Sequence, residues 1–389
     1  RMDPGAVFTA TCIAAALATF IMGFFANYPF ALAPGMGLNA YFTYTVVMQM
    51  GLSWQAALAA VFISGIIFII LTLTKAREAI INSIPMSLKL AVSAGIGLFI
   101  ALIGFSGAGI IVSNPDTLMS LGNFREPGVI VAALGIIITG ILVVRRVKGA
   151  LLIGIVFTTV LGIPFGVTSL ENFGIFCAPP PVTETLGAFT IGFKEVITFG
   201  LIPVIFAFPF VDLFDTIGTL IGVSSKAGML DKDGNLPRAN KALMADAIGT
   251  VTGSMMGTST VTTYVESASG VAEGGRTGLT AVVAGVLFLV ALFFSPLVGI
   301  VPGEATAPIL IIVGIFMMEP VMKINFSDYL EAIPAFLAIV MMPFAYSIAE
   351  GIVFGILAYT FLHLLAGKAH KISVTMWILS LLFMIRFFV

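Results

Sequence analysis

Residues 27–39 read NYPFALAPGMGLN and follow an apolar segment long enough to cross a membrane. Two prolines and two glycines in this short stretch break the helical pattern, because proline removes a backbone donor and clashes with the preceding turn. Irregular backbone is tolerated inside a membrane only where protein or a water-filled cavity satisfies its polar groups. The stretch therefore predicts a broken membrane span with an extended middle.

A second break occurs at residues 257–267, which read GTSTVTTYVES. β-Branched and hydroxyl residues dominate this stretch and favour an extended strand over a helix. Regions 5–50 and 238–273 thus each predict one apolar helix, a short extended segment and a half-helix rich in small residues. Interrupted segments in corresponding positions of two halves are typical of a transporter's binding site.

The composition excludes several classes of protein. Of 389 residues, 59% are hydrophobic and only 10% are charged, and the mean hydropathy is +1.14, which excludes a soluble globule. Eighteen basic and nineteen acidic residues give a net charge of −1, so nothing favours a nucleic-acid partner. Two cysteines and two histidines predict no disulfide framework, no metal site and no cofactor.

Apolar runs between charges and turn residues predict a chain of membrane-spanning helices. From residue 196 onward, seven spans precede the last apolar stretch in a four-plus-three arrangement, whereas the first half shows six. We therefore expect an inverted repeat whose first helix is missing from this sequence, or else an incomplete repeat. The last stretch is short and contains Arg386, so it either crosses the membrane or lies in the interface. The predicted spans are 5–25, 33–50, 54–73, 84–105, 128–144, 149–163, 196–222, 238–256, 258–273, 277–297, 304–322, 328–346, 347–366 and the stretch 374–389.

The basic residues predict the orientation of these spans. If the first span runs from outside to inside, thirteen of the eighteen Lys and Arg residues lie at cytoplasmic ends. Three lie outside, and two, Lys89 and Arg386, lie within apolar segments. Cytoplasmic loops of membrane proteins carry the excess of basic residues, so this orientation is favoured over its reverse.

Four acids inside the predicted spans are candidates for function: Asp212, Asp215, Asp246 and Glu266. An ionisable residue costs roughly 2.5–3.5 kcal/mol at the centre of a membrane helix, so its presence favours a functional role. The alternative is that these carboxylates only tie helix ends together. Asp215 and Thr219 share one helix face, and Asp212 partly shares it. A carboxylate suits a ligand rich in N–H donors, and a desolvated carboxylate can also bind and release a proton.

Three long motifs in order resemble the adenine/guanine/hypoxanthine permeases, the azaguanine-like branch of the nucleobase-cation symporter family. They are GMGLNAYF at 35–42, DLFDTIGT at 212–219 and TTYVESASG at 262–270. The segment DYLEAIP at 328–334 extends the resemblance, which covers essentially the whole chain.

The resemblance implies an all-α polytopic membrane protein with a 7+7 inverted-repeat transporter fold. Fourteen helices are then expected, of which about thirteen are visible, and the broken third and tenth helices contain short strands. A mobile core domain comprises 1–78 and 195–300, and a gate domain comprises 79–168 and 301–389, the latter with the C-terminal apolar segment.

The resemblance also assigns site residues one by one. Asp215 matches the eighth-helix acid that contacts the base, and Thr219 the position four residues later that helps to couple protons. Because threonine cannot protonate, more of the proton coupling falls to the acids. Glu266 matches the tenth-helix residue that hydrogen-bonds the base. The remaining assignments are Val265 and Ser267 as flanking positions, Asp246 as the ninth-helix aspartate, Asn39 in the third-helix motif, and backbone contacts near Ala33.

The implied function is import of purine nucleobases with protons by an elevator-type alternating-access mechanism, with no enzymatic activity. Half-helix N-termini at Asn39 and Ser267 are expected to contribute partial positive charge. The expected partners are a purine nucleobase, a proton, membrane lipid and a second copy in a homodimer, in the cytoplasmic membrane of a prokaryote. Three alternatives remain open: an anion transporter on the same fold, a passive channel, and an intramembrane aspartyl protease with paired carboxylates.

Overall fold

A computed structural model shows helices throughout the described chain, with two short antiparallel sheets. It describes residues 2–74, 83–170, 174–198, 228–230, 236–264, 266–272 and 274–388, and positions 205, 208, 209, 212, 213, 216, 219, 220, 223 and 224. The site predictions for Asp215 and Val265 lie outside the described residues.

The first half of the chain holds six helices and three strands among the described residues. Wider π-helical turns continue α1 over Met22–Ala26 and α2 over Tyr41–Gln49. The elements are α1 Pro4–Ile21, β1 Leu32–Pro34, α2 Met36–Ala40, α3 Trp54–Leu73, α4 Met86–Gly107, β2 Ile111–Asn114, β3 Leu118–Leu121, α5 Pro127–Val144 and α6 Ala150–Gly162.

The second half continues with helices and one strand. Every described position between 205 and 224 is helical as well. The elements are α7 Phe189–Thr198, α8 Ala239–Met256, β4 Val261–Thr263, α9 Ser267–Ala272, α10 Gly278–Ala291, α11 Ser295–Gly299, α12 Gly303–Met318, α13 Tyr329–Phe344, α14 Ile348–Leu365 and α15 Val374–Phe388.

Six helices in the described part are long and apolar enough to cross a membrane. Each coincides with a predicted span, and shorter apolar helices occupy further predicted spans. The prediction of a multi-pass helical membrane protein is confirmed. The six are Pro4–Ala26, Trp54–Leu73, Met86–Gly107, Pro127–Val144, Gly278–Gly299 and Gly303–Lys323.

Two compact units divide the chain. The first comprises 1–95, 179–292 and 320–389 and contains both broken segments. The second comprises 96–178 and 293–319, where α5, α6 and α12 pack on one another. The predicted division into core and gate concerns parts that move, and it stays a prediction.

Glycine brings helices of the first unit into close contact. A Cβ atom on Gly278 would lie 1.9 Å from the carbonyl oxygen of Gly23, so α10 meets the end of α1 backbone to backbone. A Cβ on Gly249 would likewise lie 2.7 Å from the Cβ of Ala18, where α8 crosses α1. Small residues at such crossings let membrane helices approach closely, because dispersion contacts drive their association.

The two broken spans pair with each other through their strands. β1 and β4 are antiparallel, with Leu32 opposite Thr263 and Ala33 opposite Thr262. Each strand is anchored by a buried threonine on the helix that precedes it. The Thr19 hydroxyl bonds both the N–H (2.9 Å) and the C=O (3.0 Å) of Leu32, and the Thr250 hydroxyl donates to the C=O of Val261 (3.0 Å). The two helix–strand–half-helix segments thus repeat one local design, as an inverted repeat requires.

Two details differ from the predictions. The hairpin of β2 and β3 was not predicted, although its turn contains Asn114, Pro115 and Asp116. The prediction that a half-helix begins at Asn39 is wrong, because α2 begins at Met36 directly after extended Gly35. Gly35 alone separates the end of β1 at Pro34 from the start of the half-helix.

Candidate functional site

The paired strands form the centre of the candidate site. The Tyr264 hydroxyl donates to the C=O of Pro34 at 2.6 Å, and the N–H of Ala31 donates to the Ser267 Oγ at 3.0 Å. The Ser259 hydroxyl donates to the Oδ1 of Asn39, which joins the loop before β4 to the first half-helix. Side chains of the second broken segment therefore bond the backbone of the first, and one side-chain pair joins the two segments.

Four of the predicted site residues meet at these strands. Ala33 is buried in β1, opposite Thr262. Asn39 and Ser267 bond across to the opposite broken segment. Glu266 is half-buried and lies between the end of β4 and the start of α9. The structure thus places the predicted base-binding acid where strand changes to half-helix.

Asp246, predicted on the ninth helix, belongs to a buried polar network. The Thr216 hydroxyl lies 3.2 Å from the Oδ1 of Asp246, 3.4 Å from the Oδ1 of Asp212 and 2.8 Å from the Oγ1 of Thr262. Asp212, Thr216 and Asp246 are 0% exposed, and Thr262 is 1% exposed. One hydroxyl therefore joins the helical positions 212 and 216 to α8 and β4.

Two carboxyl groups are buried together in this network. Two carboxylates buried around one hydroxyl repel each other, and ionising both away from water is costly. Paired carboxyl groups in such surroundings hold one proton between them. Two carboxyl groups at one hydroxyl are therefore a candidate for binding a proton next to the strand pair.

The acid on α8 has no counterpart in the first repeat. Thr19 and Thr250 are equivalent anchors of the two strands, and Asp246 lies four residues before Thr250. The residue four positions before Thr19 is Ala15, which is fully buried in α1. The repeats share a scaffold, and only the second carries a carboxylate at this point.

Thr219, predicted to help couple protons, is a buried helical residue three positions after Thr216. Thr216 and Thr262 were not predicted as site residues, and Asp212 was one of the four candidate acids without an assigned role. A usable signal exists for Thr216, since it lies four residues after Asp212 and shares its helix face. Its contacts with Asp246 and Thr262 join distant parts of the chain and have no local signature.

Two further hydroxyls on the second broken segment could bind a ligand. The Oγ1 atoms of Thr260 and Thr263 are buried and, among the described residues, have no hydrogen-bond partner. Buried polar groups are nearly always paired, so such exceptions call for an explanation. A polar ligand or ordered water at the strand pair would satisfy them.

Paired discontinuous helices with buried carboxylates at their crossing define a multi-pass membrane transporter. Residues 1–354 match the Permease family (Xan_ur_permease), and the chain belongs to this family. It is a transporter and not an enzyme, which removes the intramembrane-protease alternative.

Relatives identify the branch. The chain is 53% identical to the permease MJ0326 of Methanocaldococcus jannaschii, over 99% of this chain and 88% of that protein. It is 48% identical to the guanine/hypoxanthine permease PbuG of Bacillus subtilis, over 100% and 88% of the two chains. It is 46% identical to the adenine permease AdeP of Escherichia coli, over 99% and 86%. The resemblance drawn from the three motifs is confirmed.

The fold is shared with a solved transporter. The transmembrane domain of the cyanobacterial bicarbonate transporter BicA superposes with a TM-score of 0.61 at 16% identity, covering 91% of this chain and 97% of that one. The 7+7 inverted-repeat fold is thereby confirmed. At this identity the likeness concerns the fold alone.

Proposed function

We propose that the protein imports purine nucleobases together with protons by an elevator-type alternating-access mechanism. The main support for this proposal is the buried network of Asp212, Thr216 and Asp246. Thr216 bonds directly to Thr262 of β4, the strand that precedes Glu266. The names of the relatives support adenine, guanine and hypoxanthine as substrates.

Base recognition is assigned to the strand pair. The Glu266 carboxylate accepts hydrogen bonds from ring or exocyclic N–H groups, since a charged acceptor binds such donors more strongly than a neutral one. Backbone groups near Ala33 and the side chains of Ser267 and Asn39 complete the contacts. Asp215 and Val265 keep their predicted roles beside the base.

Proton coupling is assigned to the acids. Asp246 shares the buried hydroxyl of Thr216 with Asp212, and this arrangement favours one shared proton. Thr219 lacks a titratable group and supports the site through its hydroxyl. Asp215 and Glu266 complete the predicted coupling set, so the base and the proton occupy adjoining parts of one site.

The mechanical role follows from the position of these residues. Both broken segments and all of the candidate acids fall within the predicted core, 1–78 and 195–300. The core would carry base and proton past a gate formed by 79–168 and 301–389.

An anion carrier is the nearest rival, because the bicarbonate transporter BicA has the same fold. Asp212 and Asp246 are linked to Thr262 of the strand pair through Thr216, Glu266 follows β4, and carboxylates repel an anion. The acids therefore favour a ligand that presents N–H donors.

Uptake measurements test the proposal. Cells lacking purine uptake and expressing the chain should take up radiolabelled adenine, guanine or hypoxanthine saturably, and a protonophore should abolish accumulation. Glu266→Ala should eliminate this uptake at unchanged membrane abundance, whereas Glu126→Ala, at an exposed loop position, should not. Uptake of bicarbonate in place of any purine would contradict the substrate class, and unsaturable flux that persists in Glu266→Ala would indicate a channel.

A further inference from the structure

We infer that Thr216 is a positioning residue that transmits the protonation state of the Asp212–Asp246 pair to β4, and so makes base affinity depend on pH. The inference rests on the proposed proton coupling and names the side chain that links it to base binding. It predicts that coupling and binding can be separated by a change at a residue that holds neither the proton nor the base.

The geometry singles out this hydroxyl. Of its three contacts, that with Thr262 is the shortest at 2.8 Å, and those with the carboxyl oxygens of Asp246 and Asp212 are 3.2 Å and 3.4 Å. Within the described part of the chain, it is the hydroxyl through which both carboxyl groups meet the strand. All four side chains are buried, so bulk water does not replace these bonds.

Counting hydrogens shows how the protonation state is transmitted. A threonine hydroxyl has one proton to donate and two lone pairs. When both carboxyl groups are ionised they only accept, so Thr216 donates to a carboxylate and accepts from Thr262. When the carboxyl group of Asp246 is protonated it can donate to Thr216, which then turns its own proton toward Thr262 at 2.8 Å, because the Oδ1 of Asp212 lies farther away at 3.4 Å.

The bond between Thr216 and Thr262 thus reverses direction with the state of the acids. Thr262 then accepts, and its own proton must find another acceptor near the strand. Thr262 lies opposite Ala33 in the sheet and four residues before Glu266. The reversal therefore occurs at the strand against which the base is proposed to bind.

The charged neighbours are consistent with an acid-centred mechanism. The elements that meet at Thr216 carry Asp212 on its own helix, Asp246 on α8 and Glu266 after β4, while Asp215 lies outside the described residues.

The basic residues at the start of α8 have other contacts. The Lys241 Nζ lies 5.0 Å from the ring centroid of Phe25, and the Arg238 Cζ lies 4.8 Å from that of Tyr28. The described contacts of the Thr216 hydroxyl with acids are therefore those with Asp212 and Asp246.

The experiment compares isosteric variants of the full chain purified in detergent or nanodiscs. Thr216→Val keeps the shape and removes the hydroxyl, and Thr216→Ser restores it. Thr158→Val is the matched control, because Thr158 is equally buried in a membrane helix and its hydroxyl bonds only the C=O of Gly154 in its own helix. Binding of radiolabelled adenine and guanine is measured at pH 6 and pH 8.

We expect wild type, Thr216→Ser and Thr158→Val to bind about tenfold more tightly at pH 6, within the limit of tenfold per pH unit that one linked proton sets. Thr216→Val should bind with affinities that agree within about twofold at the two pH values, below the range typical of coupled sites. Retained pH dependence in Thr216→Val, or an equal loss of binding at both pH values in Thr216→Val and Thr216→Ser, would overturn the inference. A wild type that binds purine independently of pH would overturn the proton coupling itself, and the inference with it.

Discussion

Asp246 shows how one residue gives a symmetric scaffold a direction. Its counterpart in the first repeat is Ala15, while the strand anchors Thr19 and Thr250 are kept in both. Since a carboxylate at membrane depth is costly, its presence on one repeat alone indicates a role beyond packing. The asymmetry matches the proposed division between a scaffold and a proton site.

Asp246→Asn should uncouple transport from the proton. The amide has the size of the carboxyl group and can still bond the Thr216 hydroxyl, but it cannot exchange a proton. We expect accumulation of labelled purine to fall about tenfold or more, as for the loss of a typical coupling energy. Exchange of internal unlabelled purine for external labelled purine should persist.

Both quantities can be measured in proteoliposomes with and without an imposed pH gradient. Asp116→Asn, in the exposed turn of the β2–β3 hairpin, is the control and should leave both unchanged. Gradient-driven accumulation by Asp246→Asn at the wild-type level would rule out Asp246 as a proton site.

The sequence makes the acids of the site visible but not their hydroxyl partners. A carboxylate in an apolar run is conspicuous because few residue types are so costly there. Threonines such as Thr216 and Thr262 are common in membrane helices and cost little, so their importance depends on what they touch. Those contacts join positions separated by 30 and 46 residues.

At the scale of elements, the strand anchors determine how firmly the broken spans are held. Thr19→Val leaves both the N–H and the C=O of Leu32 without their partner, and each buried unsatisfied group costs roughly 1–3 kcal/mol. Thr250→Val leaves only the C=O of Val261. We therefore expect both variants to lower the Tm of the purified protein, and Thr19→Val to lower it further.

Thermal unfolding followed by size-exclusion chromatography after heating gives these Tm values. Thr252→Val is the control, since its hydroxyl bonds only Ile248 and Gly249 of its own helix. Equal Tm values for Thr19→Val and Thr252→Val would show that the anchor adds no stability to β1.

Local chemistry explains which elements are predictable. Prolines and glycines at 27–39 and β-branched residues at 257–267 act on the backbone where they occur, so both breaks were predicted. The pairing of β1 with β4 was not predicted, because it depends on two segments more than 200 residues apart. The β2–β3 hairpin was not predicted although its Asn-Pro-Asp turn signal is local. It lies in a loop between two apolar spans, and hydropathy carries no information about the structure of such a loop.

At the scale of the whole molecule, hydropathy predicted most of the long membrane-spanning helices. Six predicted spans coincide with described helices that are long and apolar enough to cross a membrane, because a segment in lipid must satisfy its backbone internally and needs about 20 apolar residues. The same constraint allows the fold to persist at 16% identity to the bicarbonate transporter BicA. Composition and fold do not determine the substrate, which depends on the polar groups at the binding site.

Orientation is the whole-molecule property that the basic residues predict. If cytoplasmic ends carry the excess of Lys and Arg, the exposed loop at Lys148 lies inside and the exposed β2–β3 turn at Asp116 lies outside. In a chain with Cys12 and Cys177 replaced by Ser, Asp116→Cys should react with a membrane-impermeant maleimide on intact cells. Lys148→Cys should react only after permeabilisation. The reverse pattern would invert the membrane topology that the basic residues predict, although the contacts of Asp212, Thr216 and Asp246 would be unaffected.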